Sequence, residues 1–413
     1  MRIARPLGSL ALMVASALSV TGVGRAQVAE VDVRTLVFSE PSPDSDMMIL
    51  NPSLRVSVTP FDALTVSAGY EADIVSGASE PIKAGPLTGP DIVSHASVTD
   101  LRHVATGGVT LRRKDTTLGV SYGYGTENDY RSHSISVSGA TEFLQRNTRL
   151  ELAYSRGFDQ VCNAGYDASL APTLRPRLDS SEGCFTDAPN RKLDSVDLDN
   201  YQAAWTQSWT RVFTTQLVAT FGLQHGFLGN PYRAVVIGAG GQFAQEHHPE
   251  SRGRAAAALR GRYFITGLKT AVGFGVRGYY DTWDIISQTY ELNAERYLLP
   301  WLRLMVRGRY YSQSGALFWS DDYTGGEPVH GPRGAYFTGD RELSPLNSYL
   351  LGGRVLMSFT GGRDARVLGA FSGLDLSFGL DALKTDLKDY TWGGNAPTDT
   401  FATVVTLGLG AAF

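Results

Sequence analysis

The chain lacks what a helical membrane protein or a disulfide-rich secreted domain would need. Past residue 26, no apolar run reaches the roughly 18 residues of a membrane-crossing helix. Cysteine is almost absent, with only Cys162 and Cys184 in 413 residues. No further Cys or His is spaced to complete a metal site with that pair. Charge is sparse at 19%, and the formal net of −4 gives no basic surplus for a nucleic-acid partner. No glycine-rich phosphate loop sits between a strand and a helix, so nothing calls for a nucleotide, and no cofactor is implied.

Glycine and aromatics are plentiful: 46 Gly, 19 Tyr, 18 Phe and 6 Trp. Small residues suit the inner face of a wide β-barrel, and aromatics suit its two interfacial girdles. At the N-terminus Arg2 and Arg5 precede an apolar stretch from Leu7 to Val23, then Gly24-Arg25-Ala26. Basic start, apolar middle and small residues read as a Sec-type signal peptide over 1–26, cleaved after Ala26. No cysteine follows the cut, which argues against a lipoprotein. In an exported chain, Cys162 and Cys184 read as a disulfide closing a surface loop over 159–199.

Period-two alternation recurs along the rest of the chain. Leu64, Val66, Ala68 and Tyr70 alternate with Thr65, Ser67, Gly69 and Glu71. Leu118 to Gly125 and Gly373 to Leu380 repeat the texture. The pattern predicts strands near 31–39, 48–59, 63–73, 101–113, 116–126, 129–141, 147–158, 200–211, 214–225, 252–263, 268–282, 285–296, 301–312, 346–358, 369–384 and 400–413. The links between them are alternately short, as at Lys114-Asp115, and often long, as at 159–199 and 313–345. That sorting predicts an all-β fold: a transmembrane antiparallel up-and-down β-barrel of about sixteen strands, with short periplasmic turns and long extracellular loops. Fourteen strands also fit if 31–39 is not a strand. The final strand, Thr400 to Phe413, ends on an aromatic, which resembles the assembly signal of bacterial outer-membrane barrels. It places the chain in the cell outer membrane, with lipid and the barrel-assembly machinery as partners.

Parity sorts the charges of the middle region onto the lumen side. The inward candidates are Arg260, Arg262, Arg277, Glu291, Glu295, Arg303, Arg307 and Arg309, with Arg252, Arg254 and Asp281 on the same face. An arginine facing lipid at the bilayer midplane would cost roughly 2–4 kcal/mol, so these must point inward. Arg307 and Arg309 are expected near Glu291 and Glu295. Two outcomes stay open: a salt-bridge lattice filling the lumen, or a channel whose unpaired arginines favour anions.

Catalytic signals are weak. His133 with Ser134 and Ser136 lacks the rest of an outer-membrane phospholipase motif and shares the lipid-side parity of Ile135. Glu246-His247-His248 reads as a solvated loop. Asp44, Asp46, Asp321 and Asp322 lack calcium-loop spacing, and no metal is implied.

Four segments, LGNPYRAV (228–235), HPESRGR (248–254), GYYDTWDIISQTYEL (278–292) and RGRYYSQSGALFW (307–319), resemble a family of bacterial outer-membrane proteins, domain of unknown function 3570. The resemblance spans most of the mature chain and is weakest in the cysteine-bearing loop. It implies an outer-membrane barrel and brings no activity and no residue roles. The hairpin Tyr279 to Asp284 reads as a rim feature, its aromatics at the headgroups and its aspartates shaping the turn or meeting arginine. The reading is a non-enzymatic channel or passive transporter for small solutes. A plugged, partner-binding barrel is the alternative, and an outer-membrane hydrolase comes third. Parity does not reveal the solute or the oligomeric state.

Overall fold

The computed structural model describes residues 28–41, 47–76, 93–94, 99–179, 184–185, 189–238, 242–321, 323, 336–361, 366–389 and 399–413. The leader over 1–26, Asp44, Asp46 and Asp322 lie outside them. Sixteen strands form one closed antiparallel barrel. Its first half is β1 (Val28–Glu40), β2 (Met47–Phe61), β3 (Leu64–Ser76), β5 (Thr99–Arg113), β6 (Thr116–Thr126), β7 (Tyr130–Phe143), β8 (Thr148–Ala164) and β9 (Arg191–Ser208). The second half is β10 (Phe213–Gly226), β13 (Ser251–Ile265), β14 (Thr270–Asp281), β15 (Ile286–Leu299), β16 (Leu302–Gln313), β17 (Leu346–Thr360), β18 (Gly373–Leu387) and β19 (Asp399–Ala412). β1 pairs with both β2 and β19, which closes the ring. The first strand is therefore present, and the fourteen-strand count is excluded. Three more strands, β4 (Val93–Ser94), β11 (Arg233–Ile237) and β12 (Gln242–Gln245), form a separate small sheet.

The links alternate between two rims, with the longest on one of them, although 361–372 on the short-turn rim is longer than expected and 127–129 and 282–285 on the other rim are short. Both ends of the barrel sequence and the turns 62–63, 114–115, 144–147, 209–212, 266–269, 300–301 and 361–372 share one rim. The left-handed φ of 55° at Lys114 lets a two-residue turn reverse the chain there. The long connections 165–190, 227–250 and 314–345 occupy the other rim.

Three expected boundaries move by four residues or more. β8 runs to Ala164 and β9 begins at Arg191, so the loop is 165–190 rather than 159–199, and Cys162 lies on a strand. In this stretch the outward face is polar, since Asp197 and Asp199 stand opposite Phe158 and Arg156, while the apolar Val196 and Leu198 turn inward. Without a greasy outward face, the lipid-facing alternation is lost although the ladder continues. β18 likewise starts at Gly373, four residues later than expected.

The outer surface carries a continuous apolar belt. Leu118, Val137, Leu152, Leu217, Leu259, Leu292, Val306, Leu351, Leu380 and Leu407 are all exposed. A patch of that size is untenable in water and fits hydrocarbon, where a closed sheet leaves no backbone group unpaired. Aromatics bracket the belt. Toward the long-loop rim stand Tyr122 and Tyr124 around His133, Tyr154 with Tyr201 and Phe221, and the row Tyr290, Tyr310, Tyr349. Toward the short-turn rim stand Trp205 with Trp209, Phe213 with Tyr263, Trp301 with Phe359, and Phe371 with Phe413. These are the two interfacial girdles of a membrane-spanning barrel.

Candidate functional site: a charged lumen beneath a folded cap

Antiparallel pairing sets the inner wall in rows, because residues directly opposite one another face the same side. Arg260, Gly275, Glu291 and Arg309 form one row across β13 to β16. Ala258, Arg277, Thr289 and Tyr311 form the next. A third row runs Arg262, Gly273, Asn293, Arg307, Gly352, Asp381 across β13 to β18.

The nominated charges separate into two groups. Glu295 receives both Arg262, at 2.7 Å, and Arg303, at 2.8 Å. Arg307 makes a bidentate pair with Asp381, Nε to Oδ1 at 2.9 Å and Nη2 to Oδ2 at 2.7 Å. Arg307 and Arg309 stand near Glu291, Arg309 directly opposite it, but Arg307 takes Asp381 as its ion-pair partner. The reason is local: Gly352, opposite Arg307, has no side chain, so the Asp381 carboxylate leans across it, and a Cβ there would collide with that carboxylate. In contrast, Arg260, Arg277, Glu291 and Arg309 make no ion pair within 4.0 Å among the described residues. The Arg309 Nε is buried without a hydrogen-bond partner. Together with Thr289 and Tyr311 they line a hollow of about 340 Å³ in the inner wall.

Alternation on other strands places further charges in the lumen that the sequence reading did not nominate as lumen candidates. Glu30, Asp32, Arg34, Arg55, Glu71 and Asp375 line a second hollow, of about 580 Å³. β3, which carries Glu71, is eight strands around the ring from β14, hence across the lumen from Arg277. Asp32 pairs with Arg34 at 2.8 Å, and Asn51 donates to both Glu71 and Asp73. The acidic wall is thus partly tied internally, whereas the basic wall keeps free guanidinium groups.

Near the long-loop rim, Asp281 organises the 281–285 turn. Its Oδ1 accepts from the backbone N–H of Trp283 and Ile285, while Oδ2 accepts from Tyr279 and from Arg252 at 2.5 Å. The expected meeting of aspartate with arginine is present. The expected headgroup anchoring fails for Trp283, which is 2% exposed under the Arg252 guanidinium and beside Phe318. A partner from a distant loop covers it, which local sequence does not report.

The long loops fold together into a cap. β11 is its centre, pairing with β12 and with β4. Val235, Ile237, Ala244, Tyr323 and Phe337 pack with Leu387 at the rim, and Trp283, Ile285, Ala316, Phe318 and Leu343 form a second apolar cluster. The disulfide between Cys162 and Cys184 encloses a third with Ala164 and Leu178, and Leu178 N–H donates to Pro231 O at 2.7 Å. Rim tethers include Tyr232, which donates to Asp129 in the β6–β7 turn, and Arg341, which pairs with Glu40 at the end of β1 at 2.9 Å.

Within the cap, Glu246 and His248 are buried, correcting the expected solvated loop. Glu246 Oε1 accepts from Gly339 N–H at 3.0 Å, and its Oε2 faces His248 Nε2 at 3.5 Å. Arg233 pairs with Asp340. Burial opposes the Arg233 charge, but Glu246 and Asp340 outweigh it and hold its pKa above the ordinary arginine value. His133 lies outside the barrel, its Nδ1 2.7 Å from the Tyr122 hydroxyl. Among the described residues no group of three metal-ligating side chains converges.

Several solved barrels are similar in outline. A bacterial polysaccharide outer membrane secretin is 10% identical with a TM-score of 0.47, covering 93% of this chain and 98% of its own. OccK2 (OpdF) of Pseudomonas aeruginosa is 10% identical, TM-score 0.41, covering 95% and 100%. The siderophore receptor PirA from Acinetobacter baumannii is 10% identical, TM-score 0.44, covering 87% of this chain and 53% of that one. These similarities say nothing about solute or activity. No curated protein matches the sequence. A family model, by contrast, matches residues 7–371, and the chain belongs to the family described as protein of unknown function, DUF3570.

Proposed function

We propose that the protein is an outer-membrane channel for small, negatively charged solutes, exported by cleavage of the leader after Ala26. In this reading the long-loop rim faces outward from the cell, and Phe413 belongs to the signal read by the barrel-assembly machinery. The observation that carries the reading is the unpaired trio Arg260, Arg277 and Arg309 on one lumen wall. Fixed positive charge beside a water-filled passage raises local anion concentration and admits anions preferentially. In planar bilayers under a salt gradient, the purified protein should give a reversal potential of anion-selective sign. Replacing Arg260, Arg277 and Arg309 together with Ala should move that potential toward zero. Cation selectivity of the parent protein would overturn the assignment.

The cap favours a second reading, a plugged barrel whose folded outer surface binds a partner. It requires that no ion current flow even when the cap is loosened.

A further inference from the structure

We infer that the hollow formed by Arg260, Arg277, Glu291, Arg309 and Tyr311 is a binding site for a small hydroxylated dianion. The inference rests on the channel reading and names the solute class for the same lumen. Two adjacent rows of the inner wall build the site. Small residues at its floor, Ala258, Gly275 and Thr289, leave the space, and the long side chains frame it. The Glu291 side chain and Arg260 Cγ lie 3.6 Å and 3.8 Å from where a Cβ on Gly275 would stand, ordinary contact distances. Both flanking chains lean over the glycine.

The charges set the ligand. Three guanidinium groups face one carboxylate, leaving a surplus of two positive charges that a dianion would neutralise. Guanidinium groups suit carboxylate and phosphate oxygens, which accept two parallel N–H bonds. Arg309, which lines the hollow, has no ion-pair partner and its buried Nε lacks an acceptor, so its guanidinium can bind an anion without displacing a protein partner. Glu291, an acceptor only when ionised, has no donor among the described residues and asks for one from the ligand. A hydroxyl provides it, and Thr289 borders the same space. At about 340 Å³ the hollow holds on the order of ten waters' worth of volume, the size of a compact metabolite rather than an oligomer.

Calorimetric titration of the detergent-solubilised full barrel tests the site with malate, succinate, glycerol 3-phosphate, inorganic phosphate and acetate. Malate and glycerol 3-phosphate should bind more tightly than succinate and inorganic phosphate, which lack the carbon-borne hydroxyl, and acetate should bind weakest. Arg277→Ala and Arg309→Ala should each weaken malate about tenfold or more, the loss expected for one charge-assisted hydrogen bond. Glu291→Ala should erase the preference for malate over succinate while keeping dianion binding. Equal affinity for acetate and malate, or unchanged affinity in both arginine variants, overturns the inference. Anion-selective current without any dianion preference leaves the channel reading standing and removes this site. Malate binding in a barrel that never conducts does the reverse.

Discussion

Gly352 shows how one missing side chain sets a long-range charge pair. The Asp381 carboxylate occupies the space above it and reaches Arg307 two strands away. Asp381 is almost fully shielded while Arg307 remains partly open, so the pair is worth less than a dry one would be. Gly352→Ala should evict the carboxylate and lower the unfolding temperature in detergent, at a cost of about 1–3 kcal/mol typical of overpacking. Gly353, next along β17 on the other face, meets nothing closer than Met305 O at 3.5 Å. Gly353→Ala should therefore unfold like the parent, and equal losses in both variants would show that the Asp381 contact is irrelevant. Asp281 is a sharper case, its side chain wholly buried while taking Arg252, Tyr279 and two backbone donors. Asp281→Ala strands the Arg252 charge and should cost about 3–5 kcal/mol, read as a lower unfolding temperature. Parity identified Arg307 and Asp281 as inward. It did not identify Asp381 as a partner, because pairing across an intervening strand depends on which neighbour is glycine.

Strands were legible wherever the outward face is apolar, and their ends were not. β6 alternates cleanly from Leu118 to Gly125, and its residue range matches the expected one at both ends. β9 begins with Arg191 to Asn200, where the outward face is mostly polar, and nine residues of strand were read as loop. That hairpin rises beyond the apolar belt, so solvent rather than lipid sets its composition. The disulfide from Cys162 at its base to Cys184 holds the connection against Pro231 and Tyr232. Replacing both cysteines with Ser should open residues 165–190 to limited proteolysis. The barrel itself should keep its heat-induced mobility shift on gels, because the ring is closed by backbone ladders and the bridge only ties the outer end of β8 to the 165–190 loop. Loss of that shift would mean that the hairpin tip supports the whole sheet.

At the scale of the molecule, lipid and water divide the labour. Hydrocarbon demands a closed sheet with period-two alternation, and that demand is written into nearly every strand. Nothing comparable fixes the cap, whose members come from separate loops and whose apolar residues, such as Val235, Phe318 and Phe337, follow no period. The sequence could nominate the loops by length alone, and it missed the 227–250 connection as the centre. Cap and barrel meet around the rim, among other places where Tyr232 meets Asp129, Arg341 meets Glu40 and Gln245 meets Asn163. Phe337 is fully buried in the cap, and truncating such a residue costs about 3–5 kcal/mol. Phe337→Ala combined with Arg341→Ala should therefore loosen the cap while leaving the sixteen-strand ladder intact. If the cap is the gate, single-channel recordings of this variant should show longer openings and larger mean current than the parent, with unchanged sign of the reversal potential. If the cap becomes protease-sensitive yet current stays absent, the obstruction lies lower in the lumen, and the plugged, partner-binding reading prevails.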